Sequence, residues 1–371
     1  MTIFDAVPLV ELRERTSIKW SHYAPDVLPC WVAEMDVPQP EPVIRAVTEA
    51  MRRGDTGYDS EGLNGEALAP FVRDLYGWEI DASTTRSVPD VMVGAAEVLS
   101  LLTERGGPVV INPPVYPPFA QFVEHAGRRV VRAPLGDDGR LDLDVLDAAF
   151  ARSRGGAYLL CHPHNPTGAV HTPDELAAVG ELARRHGVRV VADEIHAPLV
   201  LRGTFTPTTS VIPDAIALHS ASKAFNLAGV KSAVAVPGPD AVDDLARLPE
   251  IIRHGVSHLG TIAHAAAYGE GRGWLEEVVD GLRANQALVA SLLAEQVPRA
   301  RWQPPDATYF AWIDLRAYGA DPSRDLLVRG RLAVNDGATF GERGRGFVRL
   351  NLAASTATLT EAVRRMTTAL G

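Results

Sequence analysis

Two cysteines, Cys30 and Cys161, are all that the 371-residue chain carries. They are too few and too far apart for a disulfide framework, and free thiols are the simpler expectation. No apolar run approaches the roughly 18 residues that a membrane-spanning helix needs. There is no block of Lys or Arg and no stripe of alternating aromatic and basic residues, and the formal net charge is −10. That balance argues against a nucleic-acid surface. The opening Met1-Thr2-Ile3-Phe4-Asp5 has no basic stretch followed by an apolar one, so no secretory signal is read. Internal repeats and low-complexity segments are absent too. The expectation left by these absences is a cytoplasmic enzyme with no membrane or nucleic-acid partner.

What is there is apolar material for a large core: 46% of the residues are hydrophobic, and the length suggests two domains. Short apolar runs at Pro108–Ile111, Arg129–Ala133, Ala157–Cys161, Val188–Ala192, Ala215–His219 and Ser232–Val236 alternate with helical patterns. Such alternation predicts an α/β fold around a mostly parallel sheet. A helix is expected from Glu41 to Gly54, with Pro near its start and Gly at its close. Another follows Thr172-Pro173-Asp174-Glu175, a capping box with Pro at the first helical position. A long amphipathic helix is expected from Trp274 to about Val297, and a later strand over Ala307–Leu315. The boundaries expected are an arm over residues 1–40, a large domain over 41–273 and a small α+β domain over 274–371.

Three stretches carry chemistry. In Ser220-Ala221-Ser222-Lys223-Ala224-Phe225-Asn226, an amine follows two hydroxyls just after an apolar strand, with a second cation at Lys231. Hydroxyls and a cation suit a phosphate, and a lysine at such a place can form a Schiff base with an aldehyde. The plainer reading is an exposed lysine in a turn. Asp193 stands at the carboxyl end of an apolar run, where ligands of open α/β sheets bind, although a carboxylate there could simply cap the next segment. Asn165, in Asn165-Pro166-Thr167-Gly168, is either a turn former or an amide donor to a ligand oxygen.

The order and spacing of these stretches resemble the fold-type I pyridoxal phosphate (PLP) enzymes, the aminotransferase class I/II superfamily. Trp31-Val32-Ala33-Glu34-Met35-Asp36, Val115-Tyr116-Pro117-Pro118-Phe119, Asp193-Glu194-Ile195-His196 and Gly344 to Asn351 are similar to the MalY/PatB-type cystathionine β-lyases within it. The resemblance runs from about Arg15 to about Asn351. It implies a seven-stranded sheet, PLP as cofactor, Lys223 as its covalent anchor and the base, and Asp193 as partner of the pyridine nitrogen. Asn165 and His196 would serve the phenolic oxygen, and Tyr116 would stack on the ring. Ser220, Ser222, Lys231 and the N–H groups of a helix start at Gly94-Ala95-Ala96 would hold the phosphate. It further implies a homodimer with composite sites, in which Tyr58 reaches the neighbouring subunit. Arg349, Asn165 and Trp31 would bind an amino-acid substrate, since a guanidinium suits an α-carboxylate. For Arg349 a structural salt bridge competes, for Gly94 a plain helix start, and for His196 a role in the core.

Departures from the subgroup pattern are Pro198 in place of Asp, Glu34 in place of Asp, and His162 where Asn or Ser is usual. His162 and His164 share a segment, but no third ligand with recognisable spacing accompanies them, and no metal site is expected. The activity expected is β-elimination from an L-cysteine S-conjugate such as cystathionine. Transamination competes, as does a regulator that acts by protein contact.

Overall fold

Apolar runs of three to five residues become one seven-stranded sheet in the computed structural model, which describes residues 2–371. The strand order is Arg86–Val88, Ala233–Pro237, Ile216–His219, Arg189–Asp193, Ala157–Cys161, Pro108–Ile111, Arg129–Arg132. The last five run parallel, while Ala233–Pro237 pairs antiparallel with Ile216–His219 and Arg86–Val88 pairs antiparallel with Ala233–Pro237. Arg86–Val88 is not among the expected strands, because three residues leave no periodicity to read. The strand expected over Val188–Ala192 sits one residue later, so that Asp193 is its last member.

Central strands are buried along their whole length, as both faces of a parallel sheet carry helices. Side chains alternate between two cores. Leu159, Cys161, Val191, Ile216 and Leu218 pack with the helix Val91–Leu102, and Tyr158, Leu160, Val190, Ala192 and Ala217 pack on the opposite face. The parity of Val191 puts Asp193 on the Val91–Leu102 side. That is the side on which the pocket opens.

Helix ends follow the sequence cues. Glu41–Arg53 stops at Gly54, whose φ of 72° suits a residue without Cβ. Thr172 and Glu175 make the expected reciprocal cap. The long helix covers Arg272–Gln296 and leads to a three-stranded antiparallel sheet of Asn335–Asp336, Phe347–Asn351 and Phe310–Asp314.

The N-terminal segment is lashed to that small sheet and to a separate short strand just before it. Leu28–Pro29 pairs with Leu332–Ala333, and Asn351 Nδ2 donates to the carbonyls of Val32 at 2.8 Å and Glu34 at 2.7 Å. Beneath them Lys19 Nζ donates to Asp36 Oδ1 at 2.6 Å, both side chains buried. A buried pair of this kind adds little by itself, yet losing one member costs about 3–5 kcal/mol. It therefore fixes the path of residues 19–36. Among the described residues no helix is long and apolar enough to cross a membrane.

Five buried histidines set an acid limit on this fold. Burial holds His164 and His264 down at about 4 and pushes His162, His171 and His196 below their usual range. The unfolded chain would take up these protons from about pH 6.5 downward and the folded chain would not, so stability falls as pH drops below that value. Asp193 and Asp36, raised by burial, oppose the trend but are fewer. Thermal melts across this range should show a steady fall in Tm below about pH 6.5; a flat profile would mean that the histidines protonate freely in the folded chain.

Candidate active site

Where the parallel strands end, a pocket of about 210 Å³ opens between the strand tips and the start of helix Val91–Leu102. Strand tips supply Asp193 directly, and the segments just beyond them supply Asn165, His196 and Lys223. Ser220 caps the short helix Ala221–Ala224, which presents Lys223 to the pocket. Desolvation, reinforced by the Arg349 and Lys231 cations, pushes the Lys223 amine down to about 8. Burial raises Asp193 to about 6, against the Ile195 N–H that donates to its Oδ1 at 3.1 Å and the Lys223 charge nearby. Near neutral pH the pocket thus holds a carboxylate and an amine that is easily deprotonated.

Asn165 is buried and already half committed. Its Oδ1 accepts from Arg349 Nη1 at 2.9 Å, which leaves the amide N–H₂ group to donate into the pocket. The carbonyl of Asn165 accepts the Tyr116 N–H at 3.0 Å, which ties the two backbone segments together. His196 is buried against Tyr309 and Phe310, its Nδ1 has no partner among the described residues, and burial keeps the ring neutral.

Arg349 lies just behind this wall. It is 4% exposed, and its guanidinium donates to Asn165, to Asn335 Oδ1 at 2.6 Å and to the Trp31 carbonyl at 3.3 Å. None of these acceptors is a carboxylate, and Nε has no partner among the described residues. Burial lowers its pKa to about 10, which still leaves it charged at neutral pH. The salt bridge that competed for Arg349 is not formed. Trp31 contributes its carbonyl, while its indole turns to Tyr23 and His22.

The end of the pocket at the helix start departs from the sequence reading. Helix Val91–Leu102 begins three residues before Gly94, because Asp90 caps it by accepting the Val93 N–H at 2.8 Å. The Gly94 N–H is consumed by the Asp90 carbonyl, and Gly94, Ala95 and Ala96 lie outside the pocket. Gly94 is small for packing instead: a Cβ there would lie 2.7 Å from Val88 Cγ2. Val91 and Met92 line the pocket in its place, their N–H groups without an acceptor among the described residues. Asp90, directly before an apolar run, is a readable helix-start cue. Ser222 and Lys231 line the same end, and the Ser220 hydroxyl donates to the Ser232 carbonyl at 2.8 Å. Tyr58 does not join the pocket of its own chain and is 93% exposed. Asn335, Asp90, Val91 and Met92 were not foreseen.

These groups fit PLP. An amine, a carboxylate, an amide donor and a neutral imidazole surround the space for a substituted pyridine, and free N–H groups, a hydroxyl and a cation gather at the far end.

The comparisons with known proteins agree with this geometry. The family described as aminotransferase class I and II matches residues 34–366. A Mycobacterium leprae protein provisionally named cystathionine beta-lyase is 48% identical, over 99% of this chain and 98% of that one. Cystathionine beta-lyase PatB of Bacillus subtilis is 33% identical over 95% of this chain and 96% of its own length. The structure of a Corynebacterium diphtheriae protein, provisionally described as a PLP-dependent beta-cystathionase, superposes with a TM-score of 0.92 at 35% identity. It covers 100% of this chain and 99% of that one.

Covalent capture of an aldehyde such as PLP by the cofactor-free protein should accelerate as pH rises through about 8, since only the neutral Lys223 amine attacks. Stopped-flow absorbance would follow it. A rate still climbing towards the ordinary lysine value of 10.5 would show that Lys223 is not desolvated.

Proposed function

The chain belongs to the aminotransferase class I and II family, and we propose that it is a PLP-dependent carbon–sulfur β-lyase. Its substrate would be cystathionine or another L-cysteine S-conjugate, and its products a thiol, pyruvate and ammonia. The names of the relatives, up to 48% identical over nearly the whole chain, support the reaction. The observation that carries the substrate class is Arg349, a buried guanidinium with no carboxylate of its own.

When bound, PLP supplies an electron sink that makes the substrate's Cα–H bond acidic. Everything else falls to side chains. Arg349 would take the α-carboxylate and, through Asn165, align it with the cofactor pocket. Lys223, first the covalent anchor, would after release become a free amine of low basicity and accept the Cα proton. Asp193, an anion above about pH 6, would hold a proton on the ring nitrogen. The Asn165 amide and His196 would donate to the phenolic oxygen, and Tyr116 would cover one face of the ring. Loss of the Cα proton and of the Cβ–S bonding pair gives a thiolate, which takes a proton. The remaining enamine hydrolyses in water to pyruvate and ammonia.

The active unit in this reading is a cytoplasmic homodimer, with residues 41–273 as the cofactor domain and 274–371 with the N-terminal arm as the part that closes over it. Tyr58 supports the dimer: a tyrosine left 93% exposed on a glycine-flanked segment suits delivery to a neighbouring subunit.

Incubation with cystathionine should release pyruvate. Stoichiometric keto acid with pyridoxamine phosphate, and no pyruvate from any thioether amino acid, would make it an aminotransferase. Arg349→Ala should lower kcat/KM about a hundredfold or more, and Arg349→Lys should rescue little, because an ammonium cannot make the two-pronged contact. Unchanged kcat/KM would remove Arg349 from the site.

Mixing inactive Tyr58→Phe and Lys223→Ala subunits should restore part of the activity, because one hybrid site keeps both residues. With subunit exchange verified, no gain over the parent variants would count against a shared site.

A further inference from the structure

We propose that Asp90 is a counter-charge built into the phosphate end of the cofactor pocket, and that it holds the affinity for PLP below what the other groups there would give. Both ends of its carboxylate are spent on groups that a phosphate would want. Oδ1 accepts the Val93 N–H at 2.8 Å, and Oδ2 accepts from Lys231 Nζ at 3.1 Å. Asp90, Val91, Met92, Ser222 and Lys231 all line the one pocket. Asp90 therefore borders the place where a phosphate meets the two free N–H groups of the helix start.

The charges follow. A phosphate monoester carries about −1.5 to −2 at neutral pH. The positive groups near it are Lys231 and the helix terminus, the latter equivalent to about half a charge. Asp90 cancels most of this before the ligand arrives, and Lys231 must then be shared between two anions. Asp90 and Lys231 are partly open to water, at 28% and 57% side-chain exposure, so the repulsion is screened rather than prohibitive. Retention of PLP then leans on neutral donors and on Lys223, and the phosphate end becomes an exchangeable contact. The inference rests on PLP as the cofactor and not on the reaction that follows, so the lyase reading can fail and leave it standing.

Asparagine is the informative replacement, since it caps a helix as well as aspartate does and keeps the Val93 N–H satisfied. Cofactor-free wild-type and Asp90→Asn proteins would be titrated with PLP and with pyridoxal, its analogue without phosphate, by quenching of tryptophan fluorescence. Asp90→Asn should bind PLP about tenfold more tightly, the size expected for one partly screened charge contact, with pyridoxal affinity unmoved. The dissociation constant of inorganic phosphate, measured by its competition with PLP, should fall in the variant as well. PLP affinity equal to or weaker than wild type would overturn the proposal and leave Asp90 as a cap that aligns Lys231. Equal tightening of pyridoxal would overturn it too, by moving the effect away from the phosphate. Asp90→Ser, a second capping residue without charge, should tighten PLP in the same direction. If Asp90→Asn does not fold, unchanged or weaker PLP binding by Asp90→Ser overturns the proposal in its place.

Discussion

The reversal of direction between Ile216–His219 and Ala233–Pro237 is the constraint on which the site depends. Parallel strands deliver their carboxyl ends to one edge, and an ordinary crossover would carry the chain away from it. Here the next strand returns antiparallel, so residues 220–232 both leave from and come back to that edge. Ser220, Ser222 and Lys223 at its beginning and Lys231 at its end must then converge, and the bond from the Ser220 hydroxyl to the Ser232 carbonyl closes the base of the loop. Packing enforces the return. A Cβ on Gly260 would lie 2.5 Å from the Lys231 carbonyl oxygen, so only glycine lets helix His258–Glu270 approach this closely.

The same loop reaches outward. Asn226, at a φ of 54°, accepts the Met35 N–H at 2.8 Å and donates to the Met35 carbonyl at 3.1 Å. Met35 belongs to the segment whose Val32 and Glu34 carbonyls are held by Asn351, two residues beyond Arg349. Segments near residues 31–36, 220–231 and 347–351 are thus one hydrogen-bonded unit, although long stretches of chain separate them. A buried guanidinium costs several kcal/mol without compensation. Three neutral acceptors and the faces of Phe310 and Phe340, 4.0 Å and 5.0 Å from the Arg349 carbon, offset part of that. What they leave unmet is the charge itself, which is what the carboxylate of the proposed substrate would meet.

Much of this is legible because it is periodic or local. Strand Ala157–Cys161 announces itself by an unbroken apolar run, the Thr172 helix by its cap, and the positions of Asp193 and Asn165 by strand ends. What escapes the sequence is of two kinds. Arg86–Val88 is too short to show a period, and its place at the sheet edge is decided by pairing with Val234, far along the chain. The helix start at the pocket is misplaced from sequence because Gly94 looks like a strand end, although Asp90 in front of Val91 carries the stronger local cue. Asn335 lies beyond any local signal: nothing in Val334-Asn335-Asp336 points to Arg349, and only the antiparallel register sets the two opposite each other. Three-dimensional partners of a buried charge are not written near it.

The electrostatics of the pocket run against those of the chain as a whole. A protein with a formal net charge of −10 brings Lys223 and Lys231 to one cavity and sets Arg349 just behind its wall. The two outer cations have a double effect: each attracts an anion, and each makes a further positive charge on Lys223 less favourable. In the reading proposed here a phosphate comes to the Lys231 end and a carboxylate to the Arg349 end. Each arrival would cancel part of the repulsion that lowers the amine's proton affinity, so Lys223 would hold a proton more readily once both anions are seated. Proton affinity then grows as the ligand set is completed, which is when the amine has a Cα proton to receive. Burial works the other way throughout, since it disfavours the charged amine whatever is bound. An amine near 8 is the balance of these opposed effects, and the seating of the two anions, rather than a separate switch, would raise that value.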